Sequence, residues 1–267
     1  MNINPKIGVI GTGKMASAIL EGNFKSGYIN PDNILIYDVN EDASRILADK
    51  FGFIVKNSID DIVLSSDVLF IATKPFVVVD VLNEIKKSYK NQLIMSILAG
   101  VKIEKYLSVL NDAKIIRIMP NTPALVGEGM SAVCPSENVD EDEISYVINF
   151  IGNCGRVVVS DEEKMDIITA LSGSGPAFYF NIINLMAKSA VKLGLDYKQA
   201  LILSAQTALG SAKMIFENDY NINQLIKNVT TPGGCTEVGN KVLDNSDIGM
   251  ILDKTIEDTM VKSRNLA

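Results

Sequence analysis

The sequence has no histidine and no tryptophan, and only three of its 267 residues are cysteine. Without histidine the protein has no imidazole general base, and without histidine or paired cysteines a zinc or copper site is not expected. The cysteines, Cys134, Cys154 and Cys235, are odd in number and form no C-x-x-C pair. This usage is typical of reduced thiols in a cytosol, so we expect a cytoplasmic protein with no metal site.

Long apolar runs and clusters of basic residues are missing as well. No run is long enough to span a membrane, and the N-terminus lacks the basic and long apolar regions of a signal peptide. The net charge is −7, with 25 Lys and Arg against 32 Asp and Glu, and no basic stripe alternates with aromatic residues. Such a surface repels phosphate backbones, so we expect binding to neither membranes nor nucleic acids.

Residues 1–160 alternate short apolar runs with helical patterns, which is typical of βαβ units and a parallel sheet. From residue 161 onward the strand signal stops and only helical patterns follow. The sequence therefore predicts an α/β fold, with a Rossmann-type parallel-sheet domain in residues 1–160 and an all-helical domain in residues 161–267. We expect strands at residues 6–10, 34–37, 67–72, 92–98, 114–119, 130–134 and 155–160, and helices between them at 15–25, 41–50, 76–88, 103–110 and 140–151.

One expected helix, residues 176–192, carries apolar residues on most of its circumference. These residues are Phe178, Tyr179, Phe180, Ile182, Ile183, Leu185, Met186, Ala190 and Val191. A helix of this kind needs cover on nearly all sides. A domain of about a hundred residues has few neighbours to offer, so we expect a partner subunit, in a homodimer, to supply the cover. The alternative is a central helix surrounded by helices of its own chain.

A glycine fingerprint follows the first expected strand. The pattern is Gly11-x-Gly13-x-x-Ala16, and it lies between a strand and a helix inside a βαβ unit. In a dinucleotide site the first glycine permits the tight turn and the second lets the backbone approach the pyrophosphate. The third small residue keeps helix and strand close, and the helix N-terminus faces the phosphates. A glycine turn without a ligand is the alternative, and we interpret the pattern as an NAD(P) site.

Asp38 ends the second strand, at the position that holds a ribose in dinucleotide sites. It could instead cap the next helix, but Asn40, followed by Glu41 and Asp42, is better placed for that role. A carboxylate favours the free 2′-hydroxyl of NADH over a 2′-phosphate, and the nearest basic residue, Arg45, lies further into the helix. The residues alone therefore favour NADH.

Two further strand ends carry polar groups. The sequence ATKP at 72–75 places Lys74 after a buried strand, at the edge where ligands bind in open α/β sheets. A solvated lysine at a strand end is an equal alternative. Asn121 follows a later strand on a loop stiffened by two prolines, and its amide suits the surroundings of a nicotinamide. A plain rigid loop would have the same pattern.

The helical half contains two glycine-rich polar turns, each leading into a helix. The first, SGSG at 172–175, is followed by Pro176, a good first helical residue, and the second, TTPGGCTEVGN, spans 230–240. We expect no charge from either turn, but a helix N-terminus preceded by glycines can take a carboxylate through its free N–H groups. Each turn alone could be an ordinary helix start. Together with a dinucleotide site they indicate a small substrate that carries a carboxylate.

Six segments occur together and in a fixed order: GVIGTGKMASAIL, DVLFIATKP, RIMPNTPALVGEGMSAV, ALSGSGPAFYF, SAQTALGSAKM and TTPGGCTEVG. This set closely resembles the pyrroline-5-carboxylate reductase family over essentially the whole chain, and the last segment resembles that family's Pro-Gly-Gly-x-Thr signature. The resemblance implies NAD(P)H-dependent reduction of the cyclic imine 1-pyrroline-5-carboxylate to L-proline. It also implies a helical domain that interlocks with its dimer mate, and in some members rings of dimers.

The resemblance also implies roles for particular residues. Thr236 is expected to be the catalytic hydroxyl near the imine nitrogen, and the residues just before it are expected to line the site of the substrate carboxylate. The expected substrate-binding residues are Thr231, Gly233, Gly234, Cys235 and Ser174. The expected cofactor-binding residues are Gly11, Gly13, Lys14, Met15, Asp38, Asn57, Ala72, Thr73, Lys74, Pro75 and Asn121.

Two positions depart from the family pattern. Cys235 stands where the family often has threonine or alanine, a change of compatible volume. Family members often use NADPH, whereas Asp38 favours NADH, so both cofactors stay open.

The expected chemistry suits a chain without histidine, because a protonated iminium needs a hydride but no strong enzyme acid. A rival interpretation is a β-hydroxyacid dehydrogenase-like or other imine-reducing oxidoreductase, in which Lys188 would be the acid–base residue. A non-catalytic nucleotide sensor would explain the glycine fingerprint but not the two polar turns.

Overall fold

The computed structural model describes residues 4–217 and 221–265. Their contacts group them into two compact units. The first unit contains the described residues up to Ser174 together with those from Glu257 onward, and the second contains Gly175–Ile256. No helix in the described part of the chain combines the length and the apolar character needed to cross a membrane.

Eight strands form the sheet of the first unit: β1 Ile7–Ile10, β2 Ile34–Tyr37, β3 Ile54–Val55, β4 Val68–Ile71, β5 Leu93–Ser96, β6 Ile115–Met119, β7 Gly129–Pro135 and β8 Gly155–Val159. They lie in the order β3-β2-β1-β4-β5-β6-β7-β8, and all neighbours are parallel except β6 and β7. The strand order reverses between β1 and β4. In open α/β sheets ligands bind at such a reversal, beyond the carboxyl ends of the strands.

Helices cover both faces of this sheet: α1 Lys14–Lys25, α2 Glu41–Phe51, α3 Ile59–Ser65, α4 Val78–Lys86, α5 Ile103–Leu110, α6 Glu141–Gly152 and the short α7 Met165–Ile168. Because both faces are covered, the strands are continuous apolar runs, and every residue of β1, β4 and β5 is buried. One core cluster packs Ile19 of α1 and Phe150 of α6 on the sheet, and a second packs Ile62 of α3 and Leu82 of α4. The Rossmann-type fold predicted for this part of the chain is confirmed.

All seven expected strands are present, and two short elements were missed. β3 has only two residues, which is too few to give a periodic pattern. α3 begins after Ser58, whose hydroxyl accepts a hydrogen bond from the N–H of Asp61 at 3.0 Å. A serine followed by acidic residues in the first turn is a recognisable helix start, so α3 had a signal in the sequence.

One strand pairing departs from the expected parallel arrangement, because β7 runs antiparallel to β6. A parallel connection needs a crossover of a dozen or more residues. Only residues 120–128 join these two strands, and they contain no more than a five-residue 3-10 helix, Thr122–Val126. The chain therefore turns straight back after β6.

The second unit is helical: α8 Gly175–Lys192, α9 Tyr197–Glu217, α10 Ile222–Val229, α11 Cys235–Asp244 and α12 Ile248–Arg264, whose residues from Glu257 group with the first unit. Within α8 only Gly175 and Ala187 are buried. Tyr179, Phe180 and Leu185 are 64%, 66% and 63% exposed. The described residues of this chain therefore do not supply the cover that α8 needs, and the alternative of a central helix ringed by its own neighbours fails.

The predicted domain boundary between residues 160 and 161 stays a prediction. The compact units, which are defined by contacts, divide the chain between Ser174 and Gly175. Residues 161–174 group with the sheet because Glu162 accepts a hydrogen bond from Arg117 of β6 at 2.8 Å. In the same unit the hydroxyl of Ser263, near the end of α12, donates to the carboxylate of Asp166 in α7 at 2.8 Å. These hydrogen bonds connect the first helical turns after β8 to β6 and to the end of α12.

Candidate functional site

The glycine turn joins β1 to α1 at the point where the strand order reverses. Gly11 has a φ of 98°, in the left-handed region that favours glycine. A Cβ on Gly11 would lie 2.7 Å from the carbonyl oxygen of Ala72, so a larger residue would push apart the ends of β1 and β4. The N–H of Gly11 donates to the carbonyl oxygen of Tyr37 at 2.8 Å and so ties the turn to β2.

The N-terminus of α1 is open. Gly13 is its N-cap, and no side chain caps the first N–H groups of the helix. A Cβ on Gly13 would meet no atom within 4 Å, so the space beside the turn is free. Lys14 and Met15 begin the helix, and Ala16 is buried against the core as the fingerprint requires. Free N–H groups at a helix N-terminus attract phosphate, and the turn therefore fits a pyrophosphate.

Asp38 follows β2, and the glycine turn holds its carboxylate. Oδ2 accepts hydrogen bonds from the N–H and the hydroxyl of Thr12, at 2.6 and 3.0 Å, and Oδ1 accepts one from the N–H of Asn40 at 2.9 Å. An ionised carboxylate has about four acceptor sites, so Oδ1 can still accept a bond from a ribose hydroxyl. Sequence reasoning missed the role of Thr12. The hydroxyl that it places between the two glycines is the sequence feature that could have indicated a contact with Asp38.

Other charges lie near the same edge of the sheet. Arg45 pairs with Glu41 and Asp42 on the exposed side of α2, at 3.9 and 3.7 Å. Asn57 is exposed and lies two residues after β3, which is parallel to β2, so it lies at the same carboxyl edge of the sheet as Asp38. Lys56 precedes it and is the cation closest in sequence to that edge. The charges beside β2 are thus mostly acidic.

β4 ends beside β1 with the sequence ATKP. The N–H of Ala72 donates to the carbonyl oxygen of Ile10 at 2.8 Å. The hydroxyl of Thr73 is buried and has no hydrogen-bond partner among the described residues. A buried hydroxyl without a partner is costly, and a polar ligand atom at that place would remove the cost. Lys74 is exposed, and Pro75 begins a short 3-10 helix.

Asn121 follows β6 and is 8% exposed. Its Oδ1 accepts a hydrogen bond from the N–H of Met130 at 2.8 Å, and its Nδ2 donates to the carbonyl oxygen of Ser172 at 3.1 Å. The side-chain amide is thus used within the protein. Direct contact of Asn121 with a cofactor stays a prediction.

The first polar turn is a π-helix, Thr169–Gly173, rather than a simple helix start. The N–H of Ser174 donates to the carbonyl oxygen of Thr169 at 2.9 Å and closes it. A Cβ on Gly173 would collide with Cε of Met119, so the turn packs on the end of β6. Single π-turns are frequent at functional sites. The hydroxyl of Ser174 is partly exposed and forms no hydrogen bond within the described part of the chain.

A partly buried ion pair beneath the start of α5 was missed by sequence reasoning. Arg117 of β6 is 2% exposed, and its Nη1 donates to the carboxylate of Glu162 at 2.8 Å. The same carboxylate accepts bonds from the N–H of Ile103, at 3.1 Å, and from the thiol of Cys134, at 3.3 Å. Burial, reinforced by the bond to Glu162, raises the pKa of the Cys134 thiol to about 12. The sequence feature that could have indicated this pair is the single arginine inside the apolar run KIIRIM, because a buried cation needs an acidic partner.

In the second unit the opening of segment 230–240 is a tight turn before α11. The N–H of Gly234 donates to the carbonyl oxygen of Thr231 at 2.9 Å, and Gly233 has a φ of 75°. A proline at the second position and a left-handed glycine at the third are typical of a type II turn. The sequence PGG therefore determines the local conformation.

The expectation of an uncharged turn is corrected by Glu237. Its Oε2 accepts a hydrogen bond from the N–H of Gly233 at 2.7 Å, and its Oε1 lies 2.9 Å from Nζ of Lys241. The hydrogen bond from Lys241, followed by the one from Gly233, lowers the pKa of Glu237. The turn thus carries an ionised carboxylate at neutral pH.

The free donors of this turn lie at the start of α11 rather than in the glycines. The N–H groups of Gly233 and Gly234 are both used within the turn. Gly234 is the N-cap of α11 and provides no side-chain cap, and the side chains of Cys235 and Thr236 are exposed. The roles of these residues in substrate binding stay predictions.

The described residues contain no group of three or more His, Cys, Asp or Glu side chains arranged to hold a metal ion. The three cysteines are free, with Cys134 and Cys154 buried and Cys235 exposed.

Two family profiles match the chain. The profile for pyrroline-5-carboxylate reductase dimerisation matches residues 162–266, and the profile for NADP oxidoreductase, coenzyme F420-dependent, matches residues 6–100. The pyrroline-5-carboxylate reductase of Methanosarcina acetivorans is 39% identical over 247 residues, which are 92% of this chain and 92% of that protein.

Solved structures match over nearly the whole chain as well. A pyrroline-5-carboxylate reductase from Coxiella burnetii is 32% identical with a TM-score of 0.94, over 99% of each chain. A pyrroline carboxylate reductase from Plasmodium falciparum, solved with NADP bound, is 31% identical with a TM-score of 0.86, over 98% of each chain. The identity and the shared fold, both extending over almost the full length, show that this chain belongs to the pyrroline-5-carboxylate reductase family.

Proposed function

We propose that this protein reduces the C=N bond of 1-pyrroline-5-carboxylate to give L-proline, with a hydride from NAD(P)H. The observation that carries the proposal is family membership over nearly the full length of the chain. It supports an NAD(P)H-dependent oxidoreductase and favours imine reduction over the β-hydroxyacid dehydrogenase interpretation. Lys188, which that interpretation would need as acid–base residue, is exposed in the C-terminal part of α8.

The proposed cofactor site follows the carboxyl ends of β1, β2, β3 and β4. The open N-terminus of α1 supports pyrophosphate binding there, and the unpartnered hydroxyl of Thr73 supports a polar ligand group beside it. The residues proposed to contact the cofactor are Gly11, Gly13, Lys14, Met15, Asp38, Asn57, Ala72, Thr73, Lys74 and Pro75.

When bound, the reduced nicotinamide supplies a hydride to the carbon of the C=N bond. The hydroxyl oxygen of Thr236 accepts a hydrogen bond from the iminium N–H and so orients the ring. The N–H groups of Cys235 and Thr236 at the start of α11 hold the substrate carboxylate. No enzyme group has to act as a strong acid, because the protonated substrate already carries the proton on its nitrogen. Thr231, Gly233 and Gly234 shape this turn, and the first polar turn contributes Ser174.

The test is oxidation of NAD(P)H by the purified protein in the presence of 1-pyrroline-5-carboxylate, with L-proline identified as the product. We expect saturable kinetics with the imine and no comparable rate with a β-hydroxyacid and the oxidised cofactor. Saturable oxidation of the β-hydroxyacid instead would favour the rival enzyme. Cofactor binding without turnover of either substrate would favour the nucleotide sensor.

We expect kcat/KM to be higher with NADH than with NADPH, because the carboxylate of Asp38 is fixed at the expected ribose position and would repel a 2′-phosphate. Asp38→Ser removes that charge and should narrow the difference between the two cofactors. The measurement is kcat/KM for each cofactor at saturating imine, in the wild type and the variant.

Lys56 is the matched test, because it is a cation near the same edge of the sheet and would attract the 2′-phosphate that Asp38 repels. If NADH is preferred, Lys56→Gln should change the ratio little. A wild-type preference for NADPH of about tenfold or more, about 1.4 kcal/mol, would contradict the role given to Asp38. Loss of that preference in Lys56→Gln would then identify the lysine as the phosphate ligand.

We also propose that the protein is at least a homodimer through its helical unit, and that a ring of dimers is its larger form. The match to the dimerisation profile and the exposed apolar surface of α8 support this assembly. Phe180→Asp should dissociate or misfold the protein, since it would bury an unpaired charge at the proposed interface. Light scattering at micromolar concentration measures the result.

Ile46→Asp is the matched control for this variant. Ile46 in α2 is 66% exposed, the same fraction as Phe180, and it lies in the other unit. It should not produce monomers. A wild-type protein that is a stable and active monomer would contradict the proposed dimer. A cytoplasmic location, supported by three free cysteines, stays a prediction.

A further inference from the structure

Asn121 connects three parts of the first unit, of which the π-turn lies 51 residues further along the chain. It follows β6, accepts the N–H of Met130 in β7, and donates to the carbonyl oxygen of Ser172 in the π-turn. Because it is 8% exposed, water competes little for these bonds. The side-chain amide of Asn121 thus bonds the π-turn to the loop between β6 and β7.

The π-turn also contacts the end of β6 and the preceding helical turn. A Cβ on Gly173 would meet the terminal methyl of Met119, so the turn lies against that side chain at the end of β6. The hydroxyl of Thr169 donates to the carbonyl oxygen of Met165 at 2.7 Å and stabilises the preceding turn. Nδ2 of Asn121 reaches the hydroxyl of Ser172 at 3.4 Å, whereas the partly exposed hydroxyl of Ser174 has no partner among the described residues. The turn therefore presents one unused hydroxyl from a fixed backbone.

We propose that Asn121 is a positioning residue that fixes the π-turn, and with it the hydroxyl of Ser174, relative to the carboxyl end of β6. This inference rests on the proposed function, because that turn is assigned to the substrate. It gives Asn121 a role different from the expected contact with the cofactor. Its Oδ1 is bonded to Met130 and its Nδ2 to Ser172, and the side chain is 8% exposed, so the observed contacts of the amide are all inside the protein.

The functional importance of such a bond follows from the geometry of hydride transfer. Donor and acceptor carbons must approach within about 3–3.5 Å, and a displacement of about 1 Å can cost a hundredfold in rate. A turn that drifts from the end of β6 would still bind substrate, but in poorly aligned poses. The loss should therefore affect kcat more than the affinity for the cofactor.

The test is Asn121→Asp, which keeps the acceptor for the N–H of Met130 and replaces the donor to Ser172 by a second oxygen. We expect kcat to fall by about 10- to 100-fold, with the Kd for NADH within about twofold of wild type. The deuterium isotope effect on kcat, measured with NADH deuterated at both C4 positions, should rise because hydride transfer becomes slower relative to the other steps. Hydrogen exchange of the amides in 169–174 should accelerate, whether or not the protein is active.

Asn83→Asp is the control, since it makes the same chemical change on the exposed side of α4 and should leave all four measurements unchanged. If Asn121→Asp does not fold, Asn121→Ser removes the same donor without burying a charge. An increase of tenfold or more in the Kd for NADH would overturn the proposal in favour of direct cofactor contact. An unchanged isotope effect with unchanged exchange would also overturn it. A wild-type protein that does not reduce the imine defeats the proposed function, and the exchange measurement still decides the role of Asn121.

Discussion

Replacing Thr236 by valine is expected to lower kcat/KM for 1-pyrroline-5-carboxylate by about 5- to 150-fold. Valine keeps the shape of threonine and removes only the hydroxyl, and one such bond in a desolvated site contributes roughly 1–3 kcal/mol. The Kd for NAD(P)H should change little, because the proposed cofactor residues belong to the other compact unit. Thr236 is exposed and lies in the first turn of α11, so the fold should survive. Steady-state kinetics and a cofactor titration measure the two constants.

Thr236→Ser is the companion variant, because it restores the hydroxyl on a smaller side chain. It should recover most of the rate lost in the valine variant. If the valine variant reduced the imine at the wild-type rate, the hydroxyl would have no part in the reaction. The sequence TTPGG would then be a type II turn before a helix and nothing more. If both variants were equally slow, the methyl group rather than the hydroxyl would be what the site requires.

The features that sequence reasoning predicted well leave a pattern in neighbouring residues, even where the contact that requires the pattern is distant in sequence. The turn at Gly11 is required by the approach of one backbone segment to another, and only a glycine permits the observed φ of 98°. The strands are continuous apolar runs because helices cover both faces of the sheet. The full-length resemblance, carried by six ordered segments, predicted the family that the comparisons confirm.

The features that were missed depend on partners far away in sequence. No local pattern shows that Thr12 donates two hydrogen bonds to Asp38, or that Asn121 binds the carbonyl oxygen of Ser172. Glu237 was read as part of a neutral turn, although its position three residues after the N-cap allows it to reach back to Gly233. That contact could have been predicted from the sequence.

The helical unit shows a different limit. Its apolar residues predicted burial, yet Leu185 and Met186 are 63% and 57% exposed within the single chain. The pattern thus reported a need for cover without identifying the covering surface. The periodicity of one helix shows which of its residues need cover, and a structure of the assembly is needed to show which surface covers them.

Replacing Glu162 by glutamine is expected to lower the free energy of unfolding by about 3–5 kcal/mol, because it leaves the buried cation of Arg117 unpaired. A change of this size is a large share of the roughly 5–15 kcal/mol that stabilises a typical protein. Denaturant unfolding at one protein concentration measures it, since an oligomer gains stability with concentration. Glu163→Gln is the control, because Glu163 is the exposed neighbour of Glu162 and should change stability by less than about 0.5 kcal/mol.

The two halves of this ion pair should not contribute equally. The side chain of Arg117 is 2% exposed, whereas that of Glu162 is 30% exposed. Removing the glutamate leaves a cation that water cannot reach, but Arg117→Met leaves a carboxylate that is partly solvated and still accepts the N–H of Ile103. We therefore expect Arg117→Met to cost less than Glu162→Gln, and the double variant Arg117→Met/Glu162→Gln to recover part of the loss. A double variant as unstable as the sum of the two single ones would show that the charges do not act as a pair.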